Sequence, residues 1–106
     1  ILLAPYLGDN KLAEEIDANG GLAAWSGEGA GFKDYEIGAW TWLQSAANGR
    51  SGTSVILGYG ESDTNAKTHA VLADALNPSS VYTLPGGHKW TTWRPLWKEI
   101  AADLNF

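Results

Sequence analysis

The stretch Thr53–Asp63, TSVILGYGESD, decides how this chain reads. Residues 53–59 are rich in β-branched side chains and lie between Gly52 and Gly60, which predicts a strand running into a tight turn. Upstream, Ile1–Leu7 (ILLAPYL) is apolar without alternation, the pattern of a strand buried on both faces of a parallel sheet. Downstream, Ser80–Leu84 reads as a third strand. Helical patterns fill the intervals. Lys11–Ala18 has Leu12 and Ile16 one turn apart, a cap at Asp9 or Asn10, and a stop at Asn19-Gly20-Gly21. A second helix starts at Asp34, with Tyr35, Ala39, Trp42 and Leu43 at helical spacing, and ends at Asn48-Gly49. Asn65–Leu76 presents Val71, Leu72, Ala75 and Leu76, and Asn77-Pro78 ends it. Thr91–Leu104 presents Trp93, Leu96, Trp97, Ile100 and Leu104 as one stripe, with Pro95 placed in its first turn. Between the first two helices, glycines 20, 21, 27, 29 and 31 predict an irregular loop. The order predicts an α/β fold: three parallel strands with flanking helices and right-handed crossovers.

Composition narrows the function classes. The chain has 106 residues, 44% apolar and 18% charged, which suits one small folded unit spanning 1–106 without linker or repeat. Seven basic residues stand against twelve acidic ones, a net charge of −5. The basic residues are scattered, which argues against nucleic acid, because phosphate binding needs clustered Lys and Arg. No cysteine is present, so disulfides and thiolate zinc sites are excluded. No apolar run approaches the roughly 20 residues of a membrane-spanning helix. The chain begins at Ile1 without a methionine, and the expectation is a longer natural protein.

Two loops carry the chemistry. Gly60-Glu61-Ser62-Asp63 follows the second predicted strand and Pro85-Gly86-Gly87-His88 follows the third. Catalytic groups of open α/β sheets collect beyond the carboxyl ends of the strands. Neighbouring strands lie about 4.8 Å apart, so a carboxylate and an imidazole placed there can meet.

VILGYGESD, followed 25 positions after its Asp by the His of PGGHKW, resembles the end of the α/β-hydrolases. In that family one strand delivers the triad acid, a helix crosses over, and the next strand delivers the triad histidine ahead of the last helix. LLAPYLGD resembles the family's strand after the nucleophile helix, and residues 9–52 would be a cap or excursion region. The resemblance implies the C-terminal portion of an α/β-hydrolase fold, with Asp63 as catalytic acid and His88 as base of a serine hydrolase acting on carboxylic esters or related acyl compounds. The nucleophile has no match: serines 26, 45, 51, 54, 62, 79 and 80 all lie outside a G-x-S-x-G turn. The expected partners are therefore a small ester or acyl substrate and either the missing N-terminal half of the fold or a second chain covering the first strand.

Other readings stay open. Asp63 also suits a helix N-cap, and Asp9, after the first strand, is the rival acid, a position some family members use. His69 reads as a surface or groove histidine; nothing draws it, His88 and a carboxylate into a metal site, and no cofactor is expected. Of Trp40 and Trp42, two apart, one should face outward. Trp93 and Trp97, four apart, should pack in the core, while Trp25 is the candidate for ligand contact. The non-enzyme alternatives are a sugar-binding module and an α/β-hydrolase-like interaction module that has lost catalysis.

Overall fold

The computed structural model describes residues 1–28 and 31–105. Three parallel strands, β1 (Leu2–Leu3), β2 (Leu57–Gly60) and β3 (Val81–Leu84), form a sheet of order β1-β2-β3. Four helices flank it: α1 (Asn10–Ala18) and α2 (Asp34–Ala47) between β1 and β2, α3 (Ala66–Ala75) between β2 and β3, and α4 (Trp90–Asp103) after β3. The mixed α/β class and the parallel sheet agree with the sequence pattern.

The strands alternate sides, as the period of two requires. Leu57 enters the core formed with Leu12 and Ile16 of α1, Trp40 and Leu43 of α2, and Leu72 of α3. Gly58 faces α4: a side chain there would press on Leu3, Leu96 and Ile100. Among the described helices, α1–α3 thus cover one face of the sheet and α4 the other.

Two strand boundaries and the place of Pro95 in its helix differ from expectation by more than a residue. β1 is two residues long instead of seven, because Ala4 takes a left-handed φ of 44° and Pro5 has no N–H for a ladder. β2 begins at Leu57, not Thr53, since so short a neighbour offers little to pair with; Leu2 and Ala4 donate to the carbonyls of Ile56 and Gly58, both at 2.8 Å. Pro95 sits in the second turn of α4, where it cannot donate to the exposed Thr91.

Leu12 and Ile16 of α1 and Val71 and Leu72 of α3 face inward as expected, whereas the buried faces of α2 and α4 are rotated from expectation. Asp9 caps α1 by accepting from Lys11 N–H, as expected. In α2 the buried positions are Glu36, Trp40, Leu43 and Ala46, whereas Tyr35 and Trp42 are exposed. Trp40 is the inward member of its pair and donates Nε1–H to the Leu7 carbonyl at 2.9 Å. Gln44 donates to the carbonyls of Leu22 and Trp25, so α2 holds the irregular loop in place; Gly29 of that loop lies outside the described residues. In α4 Thr92, Leu96 and Ile100 are buried, Trp93 is half-buried, and Trp97 and Leu104 are exposed, contrary to the predicted stripe.

Candidate functional site

Asp63 and His88 meet. Asp63 lies in the turn after β2 and His88 in the turn after β3, and these strands run side by side in register, Gly60 opposite Leu84. His88 Nδ1 is 2.8 Å from Asp63 Oδ2. The other carboxylate oxygen, Oδ1, accepts the N–H of Asn65 at 2.8 Å. The Asp63 side chain is wholly buried, while the His88 side chain is 42% exposed. One partner is therefore screened from water and the other reaches it.

Glycine makes this approach possible. The Gly86 carbonyl accepts from Ser62 N–H, and the Leu84 carbonyl from Glu61 N–H, both at 2.9 Å. At Gly60 a Cβ would collide with the Gly86 carbonyl, and at Gly86 one would collide with the Thr92 hydroxyl. Gly86 also adopts a φ of +135°, which side chains rarely take. Without a side chain at both positions, the two turns pack backbone against backbone.

The hydrogen bonds define the tautomer. A carboxylate only accepts, so Nδ1 of His88 carries a hydrogen, which leaves Nε2 as the accepting nitrogen of the neutral ring. Among the described residues nothing hydrogen-bonds to Nε2. The ring is also braced by Trp93, edge-on at 4.7 Å and 86°, and Trp93 in turn meets Trp90 at 6.4 Å. Such an imidazole can take a proton from a group placed at Nε2, with the buried carboxylate stabilising the resulting imidazolium. Comparisons with protein-family models, with curated proteins and with solved structures return no match for this chain.

The remaining candidates separate cleanly. Asp9 is exposed, and its carboxylate is occupied in capping α1. Asp63 accepts from Asn65 N–H as well as pairing with His88, but the N-cap of α3 is Asn65, so the expected N-cap role does not fall to Asp63. Trp25, expected to contact ligand, is buried and donates Nε1–H to the Glu28 carbonyl at 3.2 Å, because the glycine-rich loop folds back under α2. Trp97 instead lines an apolar groove of about 350 Å³ with Leu3, Trp90 and Trp93, rimmed by Arg94 and Lys98. Among the described residues, no group of three potential ligands could hold a metal ion.

Two residues escaped the sequence reading. His69, expected at the surface or in a groove, is fully buried, with Nε2 2.8 Å from the Pro5 carbonyl. Its pKa is lowered chiefly by burial, against the Pro5 hydrogen bond and the Asp63 charge, with His88 adding a smaller lowering. Its spacing from Leu72, three residues on along the apolar side of α3, was the available signal. Glu36 is also buried and accepts from Asp9 N–H at 2.8 Å and Lys33 N–H at 3.2 Å. Its spacing of four from Trp40 and seven from Leu43 would have marked that face of α2.

Proposed function

We propose that Asp63 and His88 are the acid and base of a serine hydrolase of the α/β-hydrolase type, acting on carboxylic esters or related acyl compounds. The observation carrying this reading is the 2.8 Å contact between a buried carboxylate and a partly exposed imidazole whose other nitrogen has no hydrogen-bond partner among the described residues, at the ends of adjacent parallel strands. In this reading His88 Nε2 removes the proton from a serine hydroxyl as its oxygen attacks the acyl carbon. Asp63 holds the productive tautomer and stabilises the imidazolium, which then protonates the leaving group. His88 next takes a proton from the water that releases the acyl group.

None of the seven serines hydrogen-bonds to His88 among the described residues. The reading therefore takes the nucleophile and the oxyanion donors from beyond these 106 residues, on a segment or second chain that covers β1. That same lack of a serine at Nε2 favours the second reading, an α/β-hydrolase-like interaction module without catalysis.

Hydrolysis of a short-chain aryl ester by the natural reading frame that contains these residues tests both. His88→Ala should cut turnover by several orders of magnitude, Asp63→Asn by roughly 10⁴-fold, and Asp9→Asn should stay near wild type. Near wild-type activity in Asp63→Asn would remove the proposed acid. Absence of turnover, together with absence of fluorophosphonate labelling of any serine, would favour the interaction module.

A further inference from the structure

The turn that carries Asp63 is also the start of α3. The Asp63 carbonyl accepts from Ala66 N–H at 3.0 Å, and the Asn65 carbonyl accepts from His69 N–H at 3.1 Å and from the Thr68 hydroxyl at 2.8 Å. Wherever this first turn sits, the Asp63 carboxylate sits with it. One tie between this helix and the segment after β1 is His69, whose Nε2 meets the Pro5 carbonyl 64 residues away in the chain.

The protonation state follows from the partners. A carbonyl only accepts, so Nε2 carries hydrogen. Nδ1 is buried with no hydrogen-bond partner among the described residues. A second proton there would place an unpaired N–H, and a charge, in the interior. The neutral Nε2–H form is the one this pocket accommodates. The titratable groups around the ring are Tyr59 of β2, whose ring lies tilted by 49° at 5.1 Å, Asp63 of the preceding turn, and His88 of the turn after β3.

We propose that His69 is a positioning residue for the Asp63–His88 pair: neutral, and donating Nε2–H to Pro5, it fixes the turn that carries Asp63 to the corner after β1. This rests on reading that pair as acid and base. His69 touches neither substrate nor reacting atoms; it acts through the placement of Asp63.

The chain has two histidines, so ¹⁵N-histidine labelling resolves both rings. At neutral pH His69 should show the Nε2–H tautomer, and His88 a downfield Nδ1–H proton from its bond to Asp63. In His69→Leu, exchange of that His88 proton with water should accelerate roughly tenfold, the effect of easing local opening by one hydrogen bond. His69→Gln, whose longer amide reaches the Pro5 carbonyl, should keep wild-type exchange. If His69→Leu does not fold, His69→Asn, with its shorter reach, replaces it. An Nδ1–H tautomer at His69, or unchanged exchange in the Leu or Asn variant, overturns the proposal. A wild-type His88 without the downfield proton overturns the acid–base reading itself, and with it the positioning role, while His69 keeping its Nε2–H tautomer would leave only the structural tie to Pro5.

Discussion

A single methyl group at Gly60 should pull the two site loops apart. A Cβ built there collides with the Gly86 carbonyl oxygen and lies 2.9 Å from both the Gly86 carbonyl carbon and the Thr92 methyl. Two of these obstacles are backbone, which cannot rotate away as a side-chain end can. Relief requires the turns after β2 and β3 to separate, at the expense of the Ser62–Gly86 hydrogen bond. Overpacking of this kind costs about 1–3 kcal/mol and a lost hydrogen bond about 1, so Gly60→Ala should destabilise by about 2–4 kcal/mol. That is a large share of the about 5–15 kcal/mol that holds an ordinary domain together. Gly87→Ala is the matched control, because a Cβ there meets nothing closer than the Ser62 carbonyl oxygen at 3.9 Å. Its φ lies outside the left-handed range, and it should change stability by less than about 1 kcal/mol. Urea unfolding followed by circular dichroism at one protein concentration compares the two. Equal midpoints and slopes would refute the argument that glycine at position 60 is what lets the loops meet.

The remaining predictions concern charge and association. Burial holds the His69 pKa below its ordinary value, so the unfolded chain binds that proton first. The stability this group contributes is complete above about pH 6.5 and is lost as pH falls toward the lowered folded value, at no more than about 1.4 kcal/mol per pH unit. Comparing urea midpoints from pH 7.5 to 5 for wild type and His69→Gln isolates the effect; parallel curves would contradict it. At the free edge of β1 the backbone groups of Leu3 point away from β2, and Tyr6 and Trp42 line an apolar groove beside it. Residues 1–106 alone should therefore self-associate at micromolar concentration in sedimentation velocity, and Trp42→Glu should weaken the association. A monodisperse wild-type monomer would count against an edge that needs covering.

Much of the architecture was readable because it rests on local rules. The caps and stops around α1, the β-branched run before Gly60, and the Asn77-Pro78 break after α3 depend on neighbours within a few residues. The pairing of Asp63 with His88 was legible for a related reason: both follow strands, and adjacent strands in a parallel sheet bring their carboxyl ends together. The length of β1 was not legible in the same way. Its apolar run continues to Leu7, but Ala4 turns the backbone out of the ladder, a conformation that composition does not announce.

What the sequence by itself determined is the α/β order, the two glycine-bounded turns, and which residue types they carry, since strand and turn preferences act over a handful of residues. Only the tertiary structure decided which side of α2 and of α4 is inside. Tyr35, Trp42 and Trp97 have the size and apolarity of core residues, yet they are exposed, while Glu36 and His69 are buried. The physical reason is that burial of a polar group depends on a partner far along the chain. Glu36 can go inside because it receives the N–H groups of Lys33 and Asp9, and His69 because the Pro5 carbonyl, 64 residues away, is there to meet it.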